Sequence, residues 1–522
     1  MKLPALPDHP GTDGPVVLCI LDGVGLGDHG AGDAVWRART PTLDRLMAEH
    51  PFASIRAHGR AVGLPTDKDM GNSEVGHNAL GAGRVFDQGA KLVDIAIGDG
   101  TAFGETWRWL TGEGTLHLLG LVSDGNVHSH IDHILALIAR ADRDGINRLR
   151  VHVLTDGRDV AERSAPVFVR RLEEALASTG RDYRIASGGG RMRITMDRYE
   201  AEWDMVQRGW DCHVRGVGRR FPSAAVAIET LYAEDPETND QWLGAFVIEE
   251  EGEPVGRIEG GDGVLLFNFR GDRGIEISRA FEGRAPIDTA GGPEVRFAGM
   301  MEYDGDDKVP RRYLVAPPAI DRTVGEHLAA NGRRSFAISE TQKFGHVTYF
   351  FNGNRSGLLD PELEQYVEIP SDVIPFDQAP EMKARAITAR AVEAIRGDWD
   401  HLRLNLANGD MVGHTGDLPA TIAAVEVVDE CVASLEAAVR ERGGVLIVTA
   451  DHGNADHMLQ ADGSPRTAHS LNPVPYIIVD PRDRWRIAEL PCPGLANAGT
   501  ALLALCGLEP PSDFEPSLVR PA

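Results

Sequence analysis

Two short segments carry side chains that could attack phosphorus. Residues 71–77 read Gly-Asn-Ser-Glu-Val-Gly-His and place the hydroxyl of Ser73 on a short turn flanked by glycine. Residues 449–454 read Thr-Ala-Asp-His-Gly-Asn and place two metal-type ligands, Asp451 and His452, after an apolar run. A serine is a weak nucleophile at neutral pH, and a divalent cation that coordinates its oxygen can activate it. The two segments predict metal-assisted attack by Ser73, in a fold that joins distant parts of the chain.

Further carboxylate and imidazole groups extend this candidate metal site. Asp410 and His414 are four residues apart, so one helical turn would aim both at the same ion. Ligation by carboxylate and imidazole without thiolate suits manganese, zinc or related divalent ions. The candidate ligands besides Ser73 are Asp22, Asp410, His414, Asp451, His452 and His469. This set is too large for one ion and predicts two.

The three aspartates of this set come shortly after apolar, strand-like runs. Asp22 and Asp451 follow such runs almost directly, and Asp410 follows another after a short turn. Ligands of open α/β sheets bind beyond the carboxyl ends of the strands. An aspartate after a strand is also a common turn and helix-cap residue, so one alone would be weak evidence. Three of them, each near a histidine or glycine, predict a shared crevice.

A second set of loops, in the middle of the chain, is rich in arginine, histidine and aspartate. Each loop follows an apparent strand, and the loops are residues 121–128, 155–159, 187–191 and 268–273. Arginine binds carboxylate and phosphate groups through two parallel hydrogen bonds. These loops therefore predict a second site, for a small acidic ligand.

The order of the two sets along the chain predicts one domain inserted into another. The metal ligands come from the first eighty and the last two hundred residues, and the arginine loops come from the stretch between them. The chain should cross near residues 85–88 and near the proline-rich residues 310–318. The expected domains are 1–86 with 316–522, and 87–315.

Short apolar runs alternate with stretches of helical period, which predicts an α/β fold with mostly parallel sheets covered by helices. The predicted strands are Val16–Leu21, Leu116–Val122, Val151–Leu154, Tyr183–Ala186, Val264–Phe269, Phe336–Ser339, Leu402–Leu406 and Val445–Val448. The predicted helices include Thr40–His50, His130–Asp144, Ala165–Ser178, Pro380–Gly397 and Leu418–Arg442.

Composition restricts the possible partners. The chain has 522 residues and a formal net charge of −26, which argues against broad binding to nucleic acid or to an anionic membrane. We find neither a signal peptide nor an apolar segment of membrane-spanning length. The five cysteines are scattered and odd in number, which predicts buried apolar side chains in a reducing compartment, the cytoplasm. They are Cys19, Cys212, Cys431, Cys492 and Cys506.

Taken together, these motifs resemble those of the cofactor-independent (2,3-bisphosphoglycerate-independent) phosphoglycerate mutases, within the alkaline phosphatase superfamily. The resemblance runs in family order over nearly the whole chain. The matching segments are residues 21–25, 71–77, 123–130, 156–159, 267–273, 340–343, 408–414, 450–455 and 467–469. The implied fold is an alkaline-phosphatase-like metal domain with a parallel-type sheet, interrupted by an inserted second α/β domain that binds substrate.

The resemblance implies a role for each matching residue. One manganese ion (Mn2+) would be held by Asp410, His414 and His469, and the other by Asp22, Ser73, Asp451 and His452; Co2+ or Zn2+ share these ligands. Ser73 would become phosphoserine, and Asp159, with His128, would take a proton from the substrate. The implied substrate-binding residues are His128, Arg158, Asp159, Arg191, Arg198, Arg270, Arg273 and Lys343. Residues 189–198 depart from the family pattern, so Arg193 could take the place given to Arg191.

The implied activity is the interconversion of 3-phosphoglycerate and 2-phosphoglycerate in glycolysis and gluconeogenesis, by an isomerase that needs no 2,3-bisphosphoglycerate. Closure of two domains over this small-molecule substrate would exclude water, and an internal cleft is compatible with a monomer. One alternative is a metal-dependent phosphatase, phosphodiesterase or phosphopentomutase of the same superfamily. Another is a catalytically inactive regulator, which would lack a ligand or the nucleophile, and none is missing here.

Overall fold

The computed structural model of the chain divides into two compact units. The discontinuous unit comprises Met1–Gln88 and Ala319–Ala522, and the inserted unit comprises Gly89–Pro318. The expectation from the sequence placed the two crossings at 86/87 and 315/316. The structure describes all residues except 10, 65, 198–201, 305–307, 317, 319 and 461.

Strands and helices alternate along most of the chain. The strands are β1 Val16–Leu21, β2 Phe52–Ile55, β3 Leu116–Leu121, β4 Arg148–Thr155, β5 Asp182–Gly190, β6 Arg219–Phe221, β7 Phe246–Glu250, β8 Glu253–Pro254, β9 Gly263–Leu266, β10 Arg296–Met301, β11 Tyr313–Val315, β12 Ser335–Glu340, β13 Glu364–Ile369, β14 His401–Leu406, β15 Val445–Thr449, β16 Val474–Val479, β17 Trp485–Ile487 and β18 Val519–Pro521. The α-helices are α1 Ala34–Arg37, α2 Pro41–Glu49, α3 Ser73–Ala82, α4 Gly89–Asp99, α5 Glu105–Leu110, α6 Ile131–Arg143, α7 Ala165–Ser178, α8 Trp203–His213, α9 Ala224–Glu234, α10 Ile275–Phe281, α11 Val324–Ala330, α12 Thr341–Gly345, α13 Ala384–Ile395, α14 Asn408–Gly413, α15 Leu418–Arg442 and α16 Leu495–Leu505.

The discontinuous unit is organised around a sheet whose described strands run in the order β13-β12-β14-β1-β15-β16-β2. The strands β12, β14, β1 and β15 are neighbours and mutually parallel, and β16 joins β15 antiparallel. All six residues of β1, Val-Val-Leu-Cys-Ile-Leu, are buried. Such an uninterrupted apolar strand is expected where helices cover both faces of a parallel sheet.

The inserted unit has its own sheet, with the described strands in the order β11-β10-β9-β3-β4-β5-β7-β6 and β8 paired with β7. The neighbours β9, β3, β4 and β5 are parallel, and β7 pairs antiparallel with β5. Each unit therefore has its own hydrophobic core, and the predicted α/β class with mostly parallel sheets is confirmed.

Two predicted strands differ from the structure by three or more residues at their carboxyl ends. The strand predicted to end at Ala186 continues to Gly190, because residues 187–190 pair with β4 and the missing side chain of Gly188 admits the ring of Phe246. The strand predicted to reach Phe269 ends at Leu266. There the side-chain oxygen of Asn268 accepts a hydrogen bond from Leu121 N–H in place of a ladder carbonyl.

The prediction of five buried cysteines is correct for four and wrong for Cys492, which is exposed. Cys492 lies between two prolines in a surface turn and has a left-handed φ of 51°. Among the described residues, no helix combines the length and the apolar composition needed to cross a bilayer.

Candidate active site

Four charged side chains of the discontinuous unit lie just past the carboxyl ends of four neighbouring parallel strands. Asp22 follows β1, Asp451 follows β15, Asp410 lies in α14 after β14, and Lys343 lies in α12 after β12. All four are buried. The structure therefore brings the three aspartates of the sequence prediction into one crevice, as the position of ligand sites in open α/β sheets requires.

Ser73 is the first residue of α3 and enters this crevice from the helix N-terminus. Asn72 caps the helix by accepting a hydrogen bond from the backbone N–H of Val75. The hydroxyl oxygen of Ser73 lies 3.2 Å from Asp22 Oδ1 and 3.0 Å from His452 Nε2. It also accepts a hydrogen bond from the ammonium group of Lys343.

Lys343 is the only lysine among the described residues of this crevice, and it is surrounded by carboxylates. Its Nζ donates to Asp22 Oδ1 at 3.0 Å and to Asp410 Oδ2 at 2.8 Å. Burial lowers the pKa of Lys343, but Asp22, Asp410 and Asp451 outweigh burial and raise that pKa above its usual value. The side chain is therefore a protonated donor at physiological pH, directed at the hydroxyl of Ser73.

The two imidazoles beside Asp410 present the same nitrogen to one point. His414 Nε2 and His469 Nε2 each lie 3.1 Å from Asp410 Oδ1, and they lie 3.0 Å from each other. Their Nδ1 atoms face the backbone carbonyls of Thr467 and Gly71, at 2.6 and 2.7 Å. Donation from Nδ1–H to a carbonyl leaves the Nε2 lone pair available, which is the usual arrangement of a metal-binding histidine.

The donor set fits divalent cations. Asp410, His452 and His469 form one group of ligand atoms within 4.8 Å of one another, and Asp22, Asp451 and His452 form a second. Both carboxylate oxygens of Asp451 are buried; Oδ1 has no hydrogen-bond partner among the described residues, and Oδ2 lies 3.2 Å from His77 Nδ1. Burial lowers the pKa of His452, but Asp451 and the other nearby aspartates outweigh burial and raise that pKa to about 9. The negative charge of these carboxylates therefore favours a proton on the imidazole. Buried oxygen and nitrogen ligands with such an excess of negative charge suit a cation.

Several contributors to this crevice were not assigned a role from the sequence, among them His77, Asn405 and Asn454, whose amide donates to Asp410 Oδ1 at 3.2 Å. His77, one turn after Ser73 in α3, bonds to the Ser73 carbonyl through Nδ1 at 2.8 Å and lies 3.2 Å from Asp451 Oδ2. Asn405, in β14, donates to Asp22 Oδ2 at 2.6 Å. The four-residue spacing of Ser73 and His77 was a usable signal, whereas nothing in the sequence around Asn405 marks it.

The inserted unit also places charged side chains past the ends of neighbouring parallel strands, but its cluster contains arginine beside the carboxylates. Its charged loops follow β3, β4, β5 and β9, which are neighbouring parallel strands. The buried guanidinium of Arg191 bridges two carboxylates: its Nη1 lies 2.7 Å from Asp156 Oδ1 and 2.5 Å from Asp159 Oδ2. Ser123 donates to the other oxygen of Asp156 at 2.6 Å.

Titration within this second cluster is set by Arg191. Burial would raise the pKa of Asp159, but Arg191, His128 and Arg158 hold it far below its usual value, so Asp159 is ionised. Burial and the neighbouring Asp159 raise the pKa of Asp156. Burial, with Arg191, lowers the pKa of His128 well below its usual value, so its imidazole is neutral. A neutral imidazole and an ionised carboxylate are both proton acceptors.

Three further arginines predicted to bind substrate, Arg270, Arg273 and Arg158, make contacts within the inserted unit. Arg270 Nε lies 3.2 Å from Asp272, whose carboxylate is also 3.5 Å from His128 Nδ1. Arg273 donates to the carbonyl of Met196 at 2.7 Å. The backbone N–H of Arg158 donates to Asp156 Oδ1 at 3.1 Å.

The choice between Arg191 and Arg193 can be compared directly with the geometry. Arg191 is buried against Asp156 and Asp159, whereas Arg193 is exposed and its Nε faces the carbonyl of Trp242 at 3.4 Å. Arg198, the other predicted ligand of this stretch, lies outside the described residues.

Comparison with known proteins first defines a class. The family model of the Metalloenzyme superfamily matches residues 14–510, so the chain is a member of that superfamily. A probable 2,3-bisphosphoglycerate-independent phosphoglycerate mutase of Leptospira interrogans is 52% identical, with 97% of each chain covered. The 2,3-bisphosphoglycerate-independent phosphoglycerate mutase of Trypanosoma brucei brucei is 51% identical, again with 97% of each covered.

A solved structure agrees with these relatives. The crystal structure of Leishmania mexicana phosphoglycerate mutase at low cobalt concentration has a TM-score of 0.94 and 49% identity, and covers 100% of both chains. The chain therefore belongs to the family of 2,3-bisphosphoglycerate-independent phosphoglycerate mutases. The family resemblance and the prediction of an isomerase are both confirmed.

Proposed function

We propose that this chain interconverts 3-phosphoglycerate and 2-phosphoglycerate by passing the phosphoryl group through Ser73. The observation that carries the proposal is the surroundings of the Ser73 hydroxyl. Ser73 is the first residue of a helix, and its hydroxyl oxygen accepts a hydrogen bond from the protonated Lys343. The same oxygen lies 3.2 Å from Asp22 Oδ1 and 3.0 Å from His452 Nε2. Family membership supplies the substrate, because the relatives are named for the phosphoglycerate reaction.

The proposal includes two divalent cations. Asp410, His414 and His469 would hold one, and Asp22, Ser73, Asp451 and His452 would hold the other. When bound, these ions would neutralise phosphoryl charge and lower the pKa of the serine hydroxyl. We propose Mn2+, and the relative studied at low cobalt concentration supports Co2+ as an alternative.

The residues around Ser73 favour a nucleophilic role and a transient phosphoserine. Asp22 Oδ1 accepts the hydrogen bond of the hydroxyl, which holds an oxygen lone pair free for attack on phosphorus. Lys343 donates to the same oxygen and can follow the phosphoryl group as negative charge develops. The N-terminus of α3, ten residues long, adds a favourable dipole for a phosphate on its first residue.

In the first half of the reaction, attack by Ser73 breaks the bond between phosphorus and the 3-oxygen of the substrate, and that oxygen takes up a proton as the glycerate leaves. In the second half, the glycerate must be kept and presented through its 2-hydroxyl. Arg270 and Arg273 would clamp its carboxylate, with Arg158 and Arg191 near the phosphate. Asp159, assisted by His128, would take the proton of the 2-hydroxyl as that oxygen bonds to phosphorus. The bond from Ser73 to phosphorus breaks as the new bond forms, and the serine oxygen takes back the proton that it lost on attack, which restores the serine. Exclusion of water from the phosphoserine distinguishes this cycle from a phosphatase.

The test measures 2-phosphoglycerate and free phosphate from 3-phosphoglycerate, with manganese present and no bisphosphoglycerate added. We expect rapid 2-phosphoglycerate formation with little free phosphate, and a loss of at least about a thousandfold in Ser73→Ala. The matched control is Ser434→Ala, which removes a hydroxyl from the exposed face of α15 and should retain full activity. Free phosphate as the main product, or an active Ser73→Ala enzyme, would overturn the proposal.

A further inference from the structure

Six buried side chains of the inserted unit form one continuous hydrogen-bonded chain that the proposed reaction does not use. In order, they are Asp262, His117, His152, Ser187, His213 and Thr195. The linked atoms of successive members are 3.1, 2.9, 2.7, 2.8 and 3.0 Å apart. Every member is buried. We name this set the histidine chain.

The histidine chain runs across neighbouring strands of the sheet, from the start of β9 to the end of α8. His117, His152 and Ser187 lie on the neighbouring strands β3, β4 and β5, and Asp262 immediately precedes β9. His213 is the last residue of α8. Buried polar groups are costly unless every one is satisfied, and three histidines in a row are seldom compatible with an apolar core.

With three neutral imidazoles, only one arrangement of protons satisfies the whole chain. Asp262 is an acceptor, since His117 and backbone N–H groups lower its pKa against the effect of burial. His117 must then donate from Nε2 and accept at Nδ1, and His152 must do the same toward His117. Ser187 donates to His152, so it accepts from His213 Nδ1–H. His213 Nε2 finally accepts from the hydroxyl of Thr195.

All three imidazoles fit this arrangement only as neutral groups. Burial lowers the pKa of His213 to about 3. Burial also lowers the pKa of His152, together with His117, His213 and Arg150, well below its usual value. For His117 burial outweighs the opposing effect of Asp262 and Glu259, and its pKa is lowered as well.

The inner end of the histidine chain holds a residue in an uncommon backbone conformation. Thr195 has a φ of 71°, a left-handed value that β-branched residues seldom adopt. Gly209 of α8 lies against it so closely that a Cβ on Gly209 would collide with Thr195. The next residue, Met196, presents the carbonyl that accepts the hydrogen bond of Arg273 at 2.7 Å.

We propose that Thr195 and His213 are positioning residues for Arg273, and that the histidine chain anchored at Asp262 fixes them in place. The hydroxyl of Thr195 holds its backbone in the left-handed conformation, which directs the Met196 carbonyl toward the guanidinium. Arg273 is thereby held in one orientation before substrate binds. Its role as a carboxylate clamp rests on the proposed function, whereas the histidine chain itself does not.

The first test reads the proton positions without using activity. Selectively 15N-labelled histidine in the full chain reports tautomers by NMR, with each signal assigned from a single histidine-to-glutamine variant. We expect His213 as the Nδ1–H tautomer, and His117 and His152 as the Nε2–H tautomers, all neutral at pH 7.5. An Nε2–H tautomer at His213, or a charged member, would overturn the proposal even if the enzyme were a mutase.

The second test separates positioning from a merely structural role. Thr195→Val removes the donor and keeps the shape, and we expect KM for 3-phosphoglycerate to rise about fivefold or more with kcat within about twofold. Thr195→Ser should restore KM, and Thr230→Val on the exposed face of α9 is the control. A lower melting temperature with unchanged KM would overturn the positioning role. A wild type without mutase activity would instead refute the proposed function and leave the tautomer result standing.

Discussion

The two buried charge clusters are built on the same plan but are neutralised differently. In the discontinuous unit, Asp22, Asp410 and Asp451 surround the ammonium group of Lys343, and negative charge is in excess. In the inserted unit, Arg191 neutralises Asp156 and Asp159 directly. Both clusters lie past the ends of four parallel strands, so the position comes from the fold and the chemistry comes from the loops. The first cluster leaves negative charge uncompensated and suits cations, whereas in the second the guanidinium and the two carboxylates are paired with each other.

The pKa values of one buried histidine from each unit show the effect of neighbouring carboxylates. His452 is fully buried, and the carboxylates around it raise its pKa to about 9 despite that burial. His213 is equally buried, has no carboxylate beside it, and its pKa falls to about 3. Burial therefore does not decide the charge of a histidine by itself; the neighbouring carboxylates do. This contrast gives the following predictions their direction.

Removal of divalent cations should give the largest effect. We expect EDTA treatment to lower mutase activity at least about a hundredfold, because the aspartates of the discontinuous unit would repel the substrate phosphate. Added Mn2+ should restore activity, and EDTA saturated beforehand with Mn2+ is the control. The melting temperature should also fall on removal, since ligands that bind only the folded state stabilise it. Full activity in metal-free protein, verified by elemental analysis, would remove the proposed difference between the clusters.

Loss of the central arginine should damage the inserted unit. Arg191→Met leaves two buried carboxylates without their partner, and such a change costs about 3–5 kcal/mol in the free energy of unfolding. Arg193→Met is the matched control, because Arg193 is exposed and should change stability by less than about 0.5 kcal/mol. Chemical denaturation of both variants measures the difference. Equal stabilities would mean that Arg191 does not neutralise the cluster. Arg193 would then again be a candidate for the substrate-binding role given to Arg191.

The sequence was sufficient where chemistry and periodicity coincide. Apolar runs flanked by glycine predicted β1, β14 and β15, and the polar residues that follow them do converge. The long helix α15 was predicted with both ends correct, because Asp417 caps its start and Gly443, with a φ of 64°, ends it. These strand and helix-end signals depend only on neighbouring residues, so they can be recognised in a single sequence.

The parts that could not be predicted depend on contacts between distant residues. Asn405 lies inside a buried strand, and only the fold reveals that its amide reaches Asp22. The histidine chain joins residues as far apart as His117 and Asp262, which share no motif. The strand β5 was predicted too short because its glycines suggested a loop, whereas they allow Phe246 to pack against the sheet.

Acidification tests the titration of the buried histidines. An unfolded histidine takes a proton near pH 6.5, whereas His213 takes one only near pH 3. The neutral form contributes stability above pH 6.5, and this contribution is lost as the pH falls from 6.5 toward 3. From pH 6.5 to 5.0 each such histidine should cost about 2 kcal/mol of unfolding free energy.

Denaturation at pH 7.5 and 5.0 measures this effect in both units. His213→Asn should reduce the loss in the inserted unit by about 2 kcal/mol, whatever its effect at either pH alone. His401→Asn is the counterpart in the discontinuous unit, because burial lowers the pKa of His401 to about 3 as well. If His213→Asn leaves the pH dependence unchanged, His213 is not buried as a neutral group.

The smallest expected effect is on stability, from removing either of two helix caps that accept a hydrogen bond in the same way. Asn72 caps α3 by accepting from Val75 N–H, and Ser223 caps α9 by accepting from Val226 N–H. Replacing either cap by alanine should cost about 1 kcal/mol of stability. Only Asn72→Ala should also reduce kcat, by about tenfold, because the helix it caps begins with Ser73 and a frayed first turn would misplace the hydroxyl. Because stability should fall by a similar amount in both variants, a lower kcat in Asn72→Ala alone would show that the start of α3 is needed for turnover, and equal kcat values would contradict the positioning of Ser73 by this cap.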